Sequence, residues 1–293
     1  MDNKIVNGVM SESEIQTTKT AKEEIRFRSS MHFLKATNGI RPGELSNLVG
    51  QQGNGKSSLC RTLSIVCAMN GVNCYHLLSE EVSAVYKSSI AATFEKATNG
   101  KNTEKYLEKL FFESMLDWKE SQMTGAYFLS RLEEVINTLL PEMIILDNFT
   151  TSFLGALPIN LQGVMIQRLR KMAAVYDIAI VGVFHTAKGT DIYRKLLNGE
   201  DVRGNASSTN GGAYNYILST YFRNEKPKAI LCIDKARYHP EANKTYWELV
   251  YDKNLQVYTG DRQITFKEAE DIRNESVNKK TPTYKKETKD WRS

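Results

Sequence analysis

The sequence is short of several things, and each shortage removes a class of function. No run reaches the roughly 18 apolar residues that a membrane-crossing helix requires. The opening stretch MDNKIVNGVMSESEIQTTKTAKEE is polar and mixed in charge, without the apolar core of a secretory signal. A cytoplasmic protein with no membrane contact is therefore expected. Only four cysteines occur, and none pairs with another Cys or a His at metal-ligand spacing. Cys60, Cys67 and Cys74 stand seven apart and are expected to be buried thiols acting as small apolar residues. Net charge is only +5, and residues 279–292 hold six basic side chains against two acidic ones. Nearly all of the excess thus sits in KKTPTYKKETKDWR, so the body is close to neutral and its charge does not mark a nucleic-acid binder. No internal repeat is present.

What is present is a 293-residue chain with 41% apolar residues, enough for one large α/β domain with tails or for two small domains. Its most informative stretch is VGQQGNGKSS, residues 49–58. Gly50-x-x-x-x-Gly55-Lys56-Ser57 is the Walker A pattern. A polyphosphate is held best by inward-pointing backbone N–H groups, which calls for a tight loop poor in side chains, and Gly50, Gly53 and Gly55 meet that need. The nucleotide-binding segment is expected to comprise Gly50, Gln51, Gln52, Gly53, Asn54, Gly55, Lys56, Ser57 and Ser58. Lys56 reaches the β- and γ-phosphates in this scheme, and Ser57 ligates Mg²⁺. The flanks agree. GELSNLVG reads as a short buried strand after the turn Arg41-Pro42-Gly43, and SSLCRTLSIVCAMNG carries apolar residues at helical spacing up to Gly71.

Strands and helices alternate downstream. NCYHLLSEE, LFFESM, EMIILD and IAIVGVFH read as strands, separated by helical stretches at 82–96, 126–140 and 161–177. Further strands follow at 214–222, 228–235, 246–252 and 255–260. The pattern predicts a doubly wound, mostly parallel sheet with antiparallel strands added toward the C-terminus. The expected boundaries are a flexible or helical arm over 1–28, the main domain over 29–260 and a basic, disordered tail over 261–293.

MIILD has the Walker B form, and Asp147 at its end is expected to hold Mg²⁺. Hydrolysis also needs a group that positions or deprotonates water. Glu80 and Glu81 end the strand beside the P-loop strand, and a helix N-terminal carboxylate is the plain alternative. Of the other histidines, His32, His76 and His239 are expected to be surface or satisfied structural residues.

GIRPGELSNLVGQQGNGKSS, HLLSEE, IILDNF, VGVFHTAKG, RGNASSTNG and DKAR, in that order, resemble the RecA-like ATPase core of DnaB-family and RepA-like replicative helicases over about residues 30–255. The resemblance implies a ring, usually a hexamer, with ATP between subunits. It maps the catalytic glutamate onto Glu80, with Glu81 second, and a polar sensor onto His185. It maps trans-acting basic residues onto Lys235 and Arg237 of a Lys-x-Arg motif, or onto Arg203 of RGNAS. Only about 30 residues precede the core here, which fits the RepA-like form better than DnaB helicases with their N-terminal domain. Strand KAILCIDKAR is expected near the far edge of the sheet, away from the chain's own P-loop.

Two loops leave the strand ends where ligands sit in such folds, at 148–160 and 186–215. The second carries Lys188, Arg194 and Lys195, which are expected to follow a single-stranded phosphate backbone, a subunit-packing loop being the alternative. Three functions follow: a ring-forming, ATP-driven single-stranded DNA motor working with replication proteins; a RecA/RadA-like recombination or DNA-organising ATPase; and a clock-type regulatory ATPase that switches protein partners. The Lys-x-Arg motif and the HTAKG and RGNAS segments favour the first.

Overall fold

A computed structural model of the chain describes residues 31–187, 195–201, 211–223 and 226–280. The expected arm, 1–28, and the last residues, 281–293, lie outside the described residues, as do Lys188, Arg194 and Arg203. Nine strands form one sheet: β1 (Leu45–Gly50), β2 (Cys74–Leu78), β3 (Leu110–Ser114), β4 (Met143–Asp147), β5 (Ala179–His185), β6 (Tyr214–Arg223), β7 (Lys226–Ala236), β8 (Thr245–Asp252) and β9 (Val257–Ile264). Their order across the sheet is β3-β2-β4-β5-β1-β6-β7-β8-β9. The first six pair in parallel and the last three add antiparallel. This is the predicted fold class.

Five longer helices cover the two faces: α1 (Lys56–Met69), α2 (Ser83–Thr98), α3 (Gly125–Leu139), α4 (Ile159–Tyr176) and α5 (Phe266–Lys280). The central strands are buried on both faces, so their residues alternate between two cores. In β4, Met143 and Ile145 join the core under α1 and α2, while Ile144 and Leu146 join the one under α3 and α4. Helix α3 shows how sequence sets an element. Thr124 caps its start through the Tyr127 N–H at 3.2 Å, Phe128, Leu129, Leu132, Val135 and Ile136 bury one stripe, and Pro141 ends it. Each such side chain contributes about 1.5–3 kcal/mol on burial.

One boundary needs correction. The tail expected from 261 onward is folded as far as Lys280, since β9 runs to Ile264 and α5 follows. Ala269 and Ile272 of α5 are buried in the core under α3 and α4. The helix starts from a reciprocal cap: the Thr265 N–H donates to Glu268 Oε2 at 2.7 Å, and the Glu268 N–H to Thr265 Oγ1 at 3.1 Å. A low apolar content hid this helix, because a capped start and a few inward positions suffice to dock it.

Because β1, β2, β4 and β5 run the same way, their C-terminal residues meet at one end of the sheet. Gly50 is in register with His185, and Leu78 with Asp147. Strand β7 runs the opposite way. Its Ala236 is in register with Tyr214, which pairs with Ser46 near the start of β1. Arg237 therefore lies at the other end of the sheet. Strand β7 is also not the edge strand, since β8 and β9 lie beyond it.

Candidate nucleotide-binding site

The loop after β1 is shaped by its glycines. A Cβ on Gly50 would lie 2.5 Å from the Leu218 carbonyl oxygen of β6, so the strand passes too close for any side chain. Gly55 has φ +81, a left-handed conformation that glycine adopts freely, and it stands as the N-cap of α1. No side chain caps α1 and no acidic residue lies in its first turn. The helix thus presents uncapped N–H groups and the positive end of its dipole toward the loop, the arrangement an anion binds.

Lys56 is 5% exposed and donates to the Gln51 carbonyl at 2.7 Å. Burial lowers its pKa to about 8, with Asp147 opposing the shift. Burial also pushes the Asp147 carboxyl up to about 6, against a hydrogen bond from Ser57 and the Lys56 charge. Lys56, Ser57 and Asp147 are thus brought together, as expected. Both charges are withdrawn from water, as they would be for binding the phosphates and a cation. The Ser57 hydroxyl and the Asp147 carboxylate would offer oxygen ligands, the donor type a hard divalent cation such as Mg²⁺ takes. Gln52, Gly53 and Ser57 are exposed, and Asn54 is buried, its carbonyl accepting from Thr220 Oγ1 at 3.1 Å.

Glu80 is exposed just past the end of β2, and Glu81 is half-buried. Both lie near enough to act on the Asp147 charge, and Glu80 acts on Lys56 as well. His185, at the end of β5, joins the same group through Asn148, a residue that no sequence signal singled out. The Asn148 side-chain amide contacts Glu80 Oε1 at 3.5 Å and His185 Nε2. It follows Asp147 directly, across a cis peptide.

His76 departs from expectation. It is wholly buried on β2, and Ser64 Oγ lies 3.2 Å from its Nδ1. Its Nε2 has no hydrogen-bond partner among the described residues and stands 3.9 Å from Asp147 Oδ2. Burial lowers its pKa to about 3, so a neutral ring backs the Asp147 carboxylate. Its position on the face that carries Asp147 could have been read from the two-residue period of β2 and the strand order.

The remaining basic residues stand elsewhere. Arg237 is half-exposed, with Nη1 3.9 Å from Glu44 Oε2. Glu44 also accepts from the Tyr238 hydroxyl, and the Arg41 guanidinium lies over the Tyr238 ring at 4.1 Å. Burial, then Arg237 and Arg170, hold Lys235 below its ordinary pKa. Neither cation is near the chain's own P-loop. Lys195 pairs with Asp201 at 2.9 Å. Cys60, Cys67 and Cys74 are free and buried, as expected. Among the described residues no helix is long and apolar enough to cross a membrane.

Comparison with known proteins agrees with this geometry. A family model described as an AAA domain matches residues 11–191. Curated protein sequences give no match. Among solved structures, the KaiC-like protein PH0186 from the hyperthermophilic archaeon Pyrococcus horikoshii OT3 is similar in fold. Its TM-score is 0.59 at 14% sequence identity, over 82% of this chain and 99% of that one. The family match spans more than half of the residues and includes the P-loop, Asp147 and His185. The chain belongs to the AAA domain family, with the fold of a RecA-like P-loop ATPase.

Proposed function

We propose that the chain hydrolyses ATP in a head-to-tail ring and uses the cycle to move along single-stranded DNA, as a replicative helicase of the DnaB or RepA-like type. The observation that carries this reading is the division of cationic groups between the two ends of the sheet. Lys56 lies at the P-loop end, while Lys235 and Arg237 lie at the opposite end, beyond reach of their own phosphate site. A second copy stacked head to tail would bring its Arg237 to that site, as a closed ring requires. A group supplied across an interface makes turnover depend on the neighbour, which is what a motor needs.

Within one subunit, Gly50 to Ser58 hold the phosphates and Lys56 meets the β,γ-oxygens. Ser57 and Asp147 would hold Mg²⁺, which when bound would supply positive charge to offset the charge of the phosphates. Glu80 orients the attacking water and takes its proton, with Glu81 as the runner-up. His185 reports the state of the phosphate to the loop that begins at Thr186. Lys188, Arg194 and Lys195 contact the DNA backbone, and Arg203 competes with Arg237 for the trans role. Partners are further copies of this chain, single-stranded DNA and proteins of the replication fork.

A second reading is an ATP-driven switch acting on protein partners, favoured by the near-neutral body of the chain. A third is DNA organisation without unwinding. Fork unwinding with and without ATP separates them. ATP-dependent strand separation is expected. ATP-dependent DNA binding without separation would favour the third reading, and turnover indifferent to DNA the second.

A further inference from the structure

Asn148 is oriented by its own turn. Its Oδ1 accepts the Thr150 N–H at 2.7 Å and the Thr151 N–H at 3.2 Å, an Asx turn that leads into the loop after β4. Its own N–H donates to Ser79 Oγ at 2.9 Å, tying it to the end of β2. With Oδ1 engaged by two backbone donors, the amide cannot be flipped, and Nδ2 faces Glu80 and His185. An amide nitrogen carries two hydrogens and no acceptor. Glu80 Oε1, at 3.5 Å, takes one, and His185 Nε2 takes the other. His185 Nε2 must then be the acceptor, which puts the ring proton on Nδ1. The His185 backbone is fixed in turn, since its N–H donates to Thr150 Oγ1 at 3.0 Å.

We propose that Asn148 is a positioning residue that clasps Glu80 to His185 through a single amide nitrogen, so that the placement of the water-activating carboxylate depends on the histidine at the end of β5. The contact to Glu80 is the long one, so the carboxylate is the more easily released partner. His185 leads directly into the loop that begins at Thr186. The inference rests on the proposed ATP hydrolysis, and its test includes a readout that does not need turnover.

Nitrogen NMR of the histidine rings, with His185 assigned through His185→Ala, reads the tautomer directly. The wild-type protein should show His185 neutral with its proton on Nδ1. Asn148→Asp keeps an acceptor for the turn but loses the donor, so the proton should move to Nε2. A wild-type ring protonated on Nε2 would overturn the clasp whatever the protein's activity. In steady-state kinetics, Asn148→Asp should lower kcat by about 100-fold, the scale of a misplaced reacting group, with nucleotide affinity little changed. Asn148→Ala should have little further effect in a His185→Ala background if the two side chains act as one unit. Wild-type kcat in Asn148→Asp, or additive losses in the double variant, would also contradict the clasp. If Asn148→Asp lowers Tm, Asn148→Ser keeps a short acceptor without a second carboxylate and the same outcomes apply. A wild-type protein that hydrolyses nothing would defeat the functional reading alone, with the tautomer still deciding the clasp.

Discussion

The two ends of the sheet handle charge in opposite ways. At the P-loop end, Lys56 and Asp147 are withdrawn from water and their pKa values are driven toward neutrality by burial. At the other end, Arg237 is half-exposed beside Glu44, and Arg41 lies over Tyr238. The first arrangement is costly in the free protein and suits a highly charged ligand. The second is a solvated surface pair, worth little to folding and readily exchanged for another anion. In the proposed ring, the first end would receive phosphate and the second would offer a cation to a neighbouring copy.

The comparison breaks most completely at Lys56. Lys56→Ala should abolish ATP turnover while the fold survives, read by phosphate release beside circular dichroism, and normal hydrolysis would remove the phosphate-receiving role of this end. Arg237→Ala should leave ATP binding nearly intact and lower turnover by about 10³-fold, as for arginine fingers elsewhere. Tight coupling of Arg237 to folding, seen as a large loss of Tm, would instead make it a structural residue. Glu80→Gln should bind nucleotide normally and hydrolyse about 10²–10³-fold more slowly, because it removes a base but keeps size. The same loss in Glu81→Gln alone would move the assignment by one residue.

A smaller effect sharpens the contrast through stability. Lys56 has its pKa lowered from 10.5 to about 8, so between these values the unfolded chain binds the extra proton and stability rises with pH. Asp147 is raised from 3.8 to about 6, so the folded chain binds the extra proton there and stability falls as pH climbs through that window. Near pH 7 both charges therefore weigh against the free fold. Lys56→Met should stabilise the nucleotide-free protein by about 1–2 kcal/mol in denaturant titrations at pH 7, with the gain shrinking toward pH 10. A destabilised Lys56→Met at pH 7 would mean that the ammonium is well accommodated. The smallest change should follow removal of 281–293, which leaves ATPase activity alone and flattens the salt dependence of DNA binding.

Much of the P-loop end was legible because its information is local. The spacing of Gly50, Gly55, Lys56 and Ser57 and the apolar run before Asp147 each fit within one element and its loop. Asn148 was not legible, since its role arises from an Asx turn that aims one amide at two other strands. His76 needed the register of β2 on β4 before it could be placed behind Asp147. Arg237 was expected far from its own P-loop, but the reason lay in strand direction: the reversal from β6 to β7 carries the chain back to the start of β1. The helix α5 was missed because its capping box and two buried apolar residues, Ala269 and Ile272, sit in an otherwise polar, charged stretch.

The most direct test of the division between the two ends is a subunit-mixing experiment. Lys56→Ala and Arg237→Ala proteins, each inactive alone, are combined and ATP turnover is followed against the mixing ratio, with Arg203→Ala run in parallel. Recovery of hydrolysis is expected in the Lys56→Ala and Arg237→Ala mixture, because some interfaces then join an intact P-loop to an intact Arg237. No recovery with either arginine variant would mean that each site is completed within one chain, and the head-to-tail ring would lose its support.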